Sequence, residues 1–320
     1  SWWFRSKNHR LSACNRPWKK GFVGVIGCKP IYVMNGEEEK KLPKIKRLFH
    51  RTYVNLGYGF LDETSISQVM RWTDFDLIWS GLRKKLQMPV EGWSTFWERF
   101  SQGMDIRLST PVAKVIRQDS GVTIITQAGE ETFDYIVCAI PLDDFVKLTK
   151  ASPNEDIILN GTEWGGYTTT LFSAENWFTE DDTHSFSSGL MSGAERGQLI
   201  SARREGYSQD LGGDLYLSGQ ISGAFSPKEL EETLIADVSK RGAKIGGILN
   251  QRCWKYHNHQ KPEAIKDGLL QTMKRMQGEH STYYTGTTFS HEAVSHITNF
   301  NVQLAREMHR AALASKGVSK

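Results

Sequence analysis

The stretch from residue 106 to residue 141 constrains the fold most, because apolar and polar positions alternate in it between clear turn residues. The alternation has the period of two that half-buried strands show, and it predicts strands at Ile106–Leu108, Pro111–Ile116 and Val122–Thr126. Turns are predicted between and after the later strands, at Asp119-Ser120-Gly121 and Gln127-Ala128-Gly129. The stretch therefore predicts a set of short strands that turn back on one another.

A nearly continuous apolar run follows these strands, from Phe133 to Ile140, and it stops at Pro141. Apolar runs of this length without polar alternation are typical of strands that are covered on both faces. We therefore expect a fully buried strand here.

The rest of the chain alternates between predicted strands and predicted helices. Ile31–Val33 is strand-like, Gly57–Phe60 forms a turn, and two antiparallel strands are predicted over 166–174 and 214–223. Ser226 is predicted to open a helix, because Pro227 follows it and Glu229 completes a capping box. The buried face of this helix is predicted to contain Leu230, Leu234 and Val238, and the helix is predicted to end at Gly242. Other helices are predicted over 61–87, from Pro262 to Met276, and from about His291.

Length and composition limit the class of protein. A chain of 320 residues allows about two domains, and its 39% hydrophobic content is enough to bury a core. The net charge of +4 is a mild excess spread along the chain, so it gives only weak support for a nucleic-acid or membrane partner, and we expect no nucleic-acid partner. We find no run of about 18 apolar residues and no signal peptide, so no transmembrane segment is predicted.

The four cysteines give an expectation about the compartment. None of them lies in a Cys-x-x-Cys pair, and we expect them to be reduced and mostly buried, at Cys14, Cys28, Cys138 and Cys253. This pattern favours an intracellular protein and leaves the choice between cytosol and organelle matrix open.

The sharpest local pattern is Thr282–Thr288, which lies just before the last predicted helix. A short strand that ends in Gly286 and is followed by hydroxyl residues and a helix can bind an anion, because glycine lets the backbone approach a phosphate closely. The alternative is an ordinary joint between a strand and a helix, and the segment alone leaves both open.

Two histidine pairs resemble metal ligands, and we expect no metal at either. His291 and His296 are five positions apart, which on a helix separates them by about 140°. His257 and His259 could both leave one strand, but no third ligand is evident nearby.

Several segments resemble the flavin amine oxidase family, and in particular the group that includes polyunsaturated fatty acid isomerases. The segments that carry the resemblance are the helix from Gly92-Trp93 to Phe100, Asp105–Val112, Asp134–Pro141 and Thr282–Gly286. Gly57–Glu63 and Gln277-Gly278 also resemble this group. The resemblance extends over residues 55–310, with a poorly matching middle.

The resemblance implies an α/β chain with the FAD/NAD(P)-binding, amine-oxidase-like fold. The nucleotide-binding part would be discontinuous, built from 93–150 and 278–320, with 1–92 and 151–277 forming the mixed-sheet substrate side. It also implies FAD as the cofactor. The backbone of Val112 would meet the adenine, the strand that ends at Pro141 would lie beside the dinucleotide, and Gly286 with Thr287 and Thr288 would approach the pyrophosphate.

The sequence departs from the family at three places. The family opens with a strand, a GxGxxG turn and a helix, whereas Gly24-Val25-Ile26-Gly27 is the nearest candidate here and lacks the third glycine. Thr287 stands where the family often has an acidic residue, and the Trp254–His259 segment lacks a proline of the subgroup. We therefore expect this fold to be N-terminally incomplete, with the fingerprint either upstream of Ser1 or missing from the protein.

These observations lead to two functional hypotheses. The first is an FAD-dependent oxidoreductase that transfers a hydride between flavin and an apolar or amine substrate, or an isomerase that returns the hydride to another carbon. Its substrate wall would contain Trp254, Tyr256, Tyr283 and Tyr284, and His259 is the candidate general base. The second is a non-catalytic protein that serves as a structural subunit of a larger assembly without bound FAD.

Overall fold

The computed structural model describes residues 31–33, 53–54, 56–65, 68–69, 91–180, 183–186, 196–211 and 213–315. In chain order the strands are β1 (Ile31–Val33), β2 (Val112–Gln118), β3 (Gly121–Thr126), β4 (Gly129–Phe133), β5 (Ile136–Cys138), β6 (Thr162–Trp164), β7 (Tyr167–Glu175), β8 (Thr183–Phe186), β9 (Leu199–Ser208), β10 (Gly213–Ile221), β11 (Lys244–Trp254), β12 (Asn258–Gln260) and β13 (Thr282–Tyr284). The α-helices are α1 (Gly92–Phe100), α2 (Leu142–Phe145), α3 (Pro153–Gly161), α4 (Pro227–Ser239), α5 (Pro262–Lys266), α6 (Leu269–Arg275) and α7 (Val294–Ser315).

The chain divides into two compact units. The first unit contains Ser1–Gly103 and Trp164–His257, and the second contains Met104–Glu163 and Asn258–Lys320. The sequence-based division placed its limits at 92, 150 and 277 instead, so that 151–163 and 258–277 were counted with the substrate side. In the structure these segments share the core of the second unit, because α3 and α6 pack against β5 and β13 there. The functional labels given to the parts stay predictions.

The first unit is built on a mixed sheet with the strand order β1-β8-β9-β10-β7-β11. Only β1 and β8 run parallel, and the other neighbours are antiparallel. The pairing of β7 with β10, from Tyr167 opposite Ile221 to Ala174 opposite Asp214, confirms the two antiparallel strands that the sequence predicted.

Helix α4 begins where its sequence predicted. The Ser226 hydroxyl accepts a hydrogen bond from the Glu229 N–H at 3.3 Å, and the Glu229 carboxylate accepts one from the Ser226 N–H at 2.8 Å. This capping box satisfies two N–H groups that the first turn would otherwise leave open. Leu230, Leu234 and Val238 are fully buried on one face of the helix.

The second unit combines short sheets and helices around one core. Strands β2, β3 and β4 form an antiparallel sheet in that order, β5 pairs in parallel with β13, and β6 pairs with β12. The turns predicted at Asp119–Gly121 and Gln127–Gly129 are confirmed. The core is formed by Val115, Val122, Cys138, Leu142, Phe145, Ile158, Leu269, Met273, Met276, Tyr284 and Phe289.

Three predicted elements were wrong, one in its existence and two in their bounds. Ile106–Leu108 forms no strand, and Leu108 is 82% exposed. The apolar run from Phe133 to Ile140 contains the end of β4, a break at Asp134-Tyr135 and only then β5, whose Val137 is 44% exposed in the described structure. An apolar run cannot show where one strand ends and the next begins, since that depends on the partner strands. The helix predicted from Pro262 to Met276 is two helices, because Gly268 adopts φ +91° between them.

Other predictions differ in smaller ways or lie outside the described residues. The last helix begins at Val294 rather than near His291, and residues 61–64 form a turn instead of a helix. Cys138 is buried as expected, whereas Cys253 is exposed. The Gly24–Gly27 candidate, Cys14, Cys28 and most of 66–87 lie outside the described residues. No helix among the described residues is both long enough and apolar enough to cross a membrane.

We predict that Gly219→Ala destabilises the first unit. A Cβ at Gly219 would overlap the hydroxyl of Tyr167, whose ring also lies 2.5 Å from the Cβ position of Gly57. Such overpacking costs about 1–3 kcal/mol of the free energy of unfolding. Gly247→Ala is the matched control, because nothing lies within 4 Å of its Cβ position on the same sheet. Equal stability of the two variants in urea denaturation would contradict the packing argument.

Candidate functional site

The parallel pair β5 and β13 brings two chain segments to one end of the second unit. Tyr284 lies opposite Cys138, and the N–H of Thr285 donates to the Cys138 carbonyl at 2.9 Å. The strands are parallel, so the segments that follow them, at Ala139 and at Gly286, leave the sheet at the same end. In open α/β sheets, ligands bind outside the carboxyl ends of the strands.

The segment after β13 is a turn with Gly286 at its start. Gly286 adopts φ +88°, which favours glycine, and a Cβ there would lie 3.4 Å from the Ala139 carbonyl oxygen. The turn closes when the Ser290 N–H donates to the Gly286 carbonyl at 3.0 Å. Among the residues that the structure describes, none accepts a hydrogen bond from the N–H of Gly286, Thr287 or Thr288.

These N–H groups have the character of an anion site. Successive free backbone N–H groups at a turn form a positive concavity that binds phosphate. No acidic side chain occurs from Thr285 to Ser290, so nothing in the turn itself opposes a negative ligand. A backbone turn of this kind can bind an anionic group, and the anion interpretation of this segment stays a prediction.

A buried ion pair anchors β13 two residues before this turn. Arg117 of β2 donates to both carboxylate oxygens of Glu155 of α3, at 2.8 and 2.9 Å. The Tyr284 hydroxyl donates to Glu155 Oε1 at 2.8 Å and accepts from Arg117 Nη1 at 3.0 Å. The side chains of Arg117 and Glu155 are 5% and 0% exposed, so the pair is shielded from water.

The pKa values of these groups follow from their contacts. Burial alone would raise the pKa of Glu155, but hydrogen bonds from Arg117, the Ser152 N–H and Tyr284 outweigh it, and the pKa lies below its usual value. Burial would lower the pKa of Arg117, and Glu155 raises it above its usual value instead. Burial, together with the charge of Glu155, raises the pKa of Tyr284 far above its usual value.

The predicted cofactor residues all lie in the second unit. Pro141 follows β5 and precedes α2, while Thr287 and Thr288 follow Gly286, so these residues come from the carboxyl ends of the parallel pair. Val112 begins β2 in the separate antiparallel sheet and packs, half-buried, against the core of the unit. Their roles toward a cofactor stay predictions.

Two predicted wall residues, Trp254 and Tyr256, belong to the first unit. Trp254 is 46% exposed, and its indole N–H donates to Thr169 Oγ1 at 3.0 Å. The Tyr256 ring is stacked on Tyr58 at 6.0 Å between centroids and lies 5.6 Å from Tyr167. This part of the unit therefore offers one exposed indole and a packed group of tyrosines.

The other predicted residues, Tyr283, Tyr284 and His259, belong to the second unit. Tyr283 is 5% exposed and meets the ring of Tyr135 edge to face at 5.7 Å. Tyr284 is 1% exposed and points into the core, where the ion pair occupies its hydroxyl. His259 Nε2 lies 3.0 Å from Glu163 Oε1, so a carboxylate orients this imidazole.

The histidines rejected as metal ligands have a geometry that the helix argument did not foresee. His291 precedes α7, so the pair does not share one helix, and the rings of His291 and His296 lie 5.4 Å apart. No group of three or more His, Cys, Asp or Glu side chains suited to a metal ion occurs within the described part of the chain.

Sequence reasoning missed the pair of Arg117 and Glu155. It also missed two glutamines that donate to backbone carbonyls beside the turn, Gln277 to Tyr284 and Gln260 to Thr288. Ser152-Pro153-Asn154-Glu155 has the same capping-box pattern as Ser226–Glu229, so the start of α3 was predictable. The partner of Glu155 was not, because Arg117 is 38 positions away in the sequence.

The model of the flavin-containing amine oxidoreductase family matches residues 36–312. A fatty acid isomerase from P. acnes that produces CLA shares the fold, with a TM-score of 0.71 and 17% identity over 82% of this chain and 63% of that one. A protein of Exiguobacterium sp. 255-15, provisionally assigned as a protoporphyrinogen oxidase, gives a TM-score of 0.54 and 14% identity over 83% of this chain and 63% of that one. Cyclohexylamine oxidase from Brevibacterium oxydans IH-35A gives a TM-score of 0.50 and 15% identity over 79% of this chain and 61% of that one.

The chain thus spans less than two thirds of the length of each of these structures. No curated protein sequence matches it significantly. At these identities the likeness concerns the fold.

We predict that Glu155→Gln strongly destabilises the second unit at neutral pH. The change leaves the Arg117 guanidinium buried without its counter-charge, which typically costs about 3–5 kcal/mol of the free energy of unfolding. Asp144→Asn is the control, because it removes a carboxylate from an exposed pair with Lys147 and should leave stability close to unchanged. Urea denaturation at pH 7 measures both, and equal midpoints would refute the role of the pair.

We also predict how the stability difference between wild type and Glu155→Gln depends on pH. Because the pKa of Glu155 is lower in the folded protein, its stabilisation is complete above its unfolded pKa of about 4.3 and is lost as the pH falls through the folded pKa. The stability difference between wild type and Glu155→Gln should therefore stay constant from neutral pH down to about 5 and shrink at lower pH. A difference that does not change with pH would contradict this account.

Proposed function

Because the chain belongs to the flavin-containing amine oxidoreductase family, we propose that it is an FAD-dependent oxidoreductase whose dinucleotide binds at the carboxyl ends of β5 and β13. The family implies FAD as the cofactor. The observation that supports this location is the Gly286 turn, which combines φ +88° with three consecutive N–H groups that no described residue accepts from.

The residues of the second unit would hold FAD through its phosphates. The N–H groups of Gly286, Thr287 and Thr288 would donate to the pyrophosphate, as charge-assisted hydrogen bonds of the kind that bind phosphate strongly. Pro141 would lie beside the dinucleotide, and the Val112 backbone would meet the adenine. Bound FAD supplies the acceptor for a hydride, and the protein supplies position and surroundings.

We expect a substrate that contains an apolar hydrocarbon part, with or without an amine group. The fatty acid of the isomerase and the cyclohexylamine of the oxidase, as their names state them, share such a part. Trp254 is the candidate wall residue for this part, since it is 46% exposed, while Tyr256 is stacked on Tyr58. His259, oriented by Glu163 at 3.0 Å, would exchange the proton that accompanies oxidation of an amine.

A non-catalytic subunit of a larger assembly is the second candidate function. One sequence observation favours it, namely that Thr287 stands where the family often has an acidic residue.

Absorption spectroscopy and FAD titration separate the two candidates. We expect the purified protein to show flavin absorption bands that survive desalting, or to acquire them when FAD is added. A folded protein that stays colourless after FAD addition would overturn the oxidoreductase proposal. The non-catalytic subunit would then be the remaining candidate.

The location is tested by Gly286→Ala, which should weaken FAD binding at least about tenfold, because the side chain forces the backbone out of φ +88° and crowds the Ala139 carbonyl. The control is Gly242→Ala, a glycine at φ +81° in the first unit with nothing within 4 Å of its Cβ position. It carries a similar backbone strain and should bind FAD like the wild type. Equal affinities of the two variants would move the FAD site elsewhere.

A further inference from the structure

We infer that Gln277 and Gln260 are positioning residues that hold the Gly286 turn open for an anion and thereby set the affinity for FAD. This inference rests on the proposed function. Neither side chain needs to touch the cofactor, because each one fixes a backbone group two residues away from Gly286, at Tyr284 and at Thr288.

Gln277 acts on the free edge of β13. One edge of this strand pairs with β5, and on the other edge the Gln277 amide takes both backbone groups of Tyr284. Its Nε2 donates to the Tyr284 carbonyl at 3.1 Å, and its Oε1 accepts from the Tyr284 N–H at 2.9 Å. The side-chain amide has the same donor and acceptor as a peptide group, so it takes the place of a neighbouring strand at this position.

The backbone beside Gln277 extends the same edge. The N–H of Gly278 donates to the Thr282 carbonyl at 2.8 Å, and Gly278 adopts φ +92° where the chain turns into β13. The backbone is thus hydrogen-bonded at both residues that face the outer edge of β13, Thr282 and Tyr284. The strand therefore has its hydrogen bonds satisfied on both sides up to the last residue before the turn.

Gln260 acts on the far side of the turn. It is 1% exposed, it ends β12, and its Nε2 donates to the Thr288 carbonyl at 3.1 Å. Strand β12 pairs with β6, so the constraint on Thr288 comes from an element remote in sequence from the turn. Together the two glutamines fix the chain on both flanks of Gly286.

This arrangement has a consequence for binding. Fixing the carbonyls of Tyr284 and Thr288 leaves the N–H groups of Gly286, Thr287 and Thr288 in a set orientation before any ligand arrives. A site whose donors are already ordered loses less conformational entropy on binding, which raises its affinity. The glutamines act in this way even though the ligand contacts belong to the turn.

The test replaces each glutamine by methionine, which is similar in size, cannot form these hydrogen bonds and leaves the charge unchanged. Gln271→Met is the control, because Gln271 is exposed on α6 in the same unit. Amide hydrogen exchange is measured at Thr285 and Ser290, whose N–H groups are hydrogen-bonded on the two sides of Gly286, in the full chain without FAD, with β10 of the first unit as an internal reference. FAD affinity is measured by titration of flavin fluorescence.

For Gln277→Met we expect exchange at Thr285 at least about tenfold faster, and for Gln260→Met the same at Ser290, with β10 unchanged. We expect FAD binding about tenfold weaker than in Gln271→Met. Unchanged exchange would overturn the inference, and so would faster exchange with unchanged FAD affinity. If Gln260→Met unfolds the protein, Gln277→Met, a change at a half-buried position, decides alone.

The two proposals fail in different ways. If the wild type binds no FAD, the proposed function fails, and the exchange measurement still decides whether the glutamines hold the turn. If the wild type binds FAD and both methionine variants bind it equally well, the proposed function stands and the positioning role is refuted.

Discussion

The second unit depends on one buried ion pair, between Arg117 and Glu155. It joins β2 to α3, and through the Tyr284 hydroxyl it reaches β13, so three elements far apart in the sequence meet at one point. Removing two charges from water is costly, and the attraction between them compensates only when the remaining donors and acceptors are also satisfied. Here the Ser152 N–H and Tyr284 supply those contacts to Glu155, and the Lys150 carbonyl accepts from Arg117. The pair therefore has its full set of contacts only when β2, α3 and β13 lie together.

The candidate binding turn inherits its geometry from this assembly. Tyr284 is fixed at its side chain by the ion pair and at its backbone by Gln277, and Gly286 follows two residues later. Glycine is required at that position because the backbone turns with φ +88° against the Ala139 carbonyl. Hydrogen bonds thus hold the backbone on both sides of the glycine, at Tyr284 and at Thr288, which is how a loop can present N–H groups in a fixed direction.

The first unit is built on one mixed sheet that helix α4 accompanies. Its sheet and the capped helix α4 form a framework, and Trp254 and Tyr256, the substrate-facing residues of the proposed function, belong to the same unit. Structures with the same fold include a fatty acid isomerase and a cyclohexylamine oxidase, so the framework does not select the reaction. The chemistry of individual side chains has to do so.

The sequence by itself determined the elements that rest on local interactions. The capping box at Ser226, the alternation in β2 and β3, and the glycine joint at Gly286 were all predictable, because each depends on residues within a few positions of one another. The local motifs also indicated the flavin family. Only the tertiary structure decided that Tyr284 points into the core, that the run from Phe133 divides into two strands, and that Gln277 closes the edge of β13. These outcomes depend on which distant residues come together, such as Arg117 with Glu155, and a local pattern contains no information about that pairing.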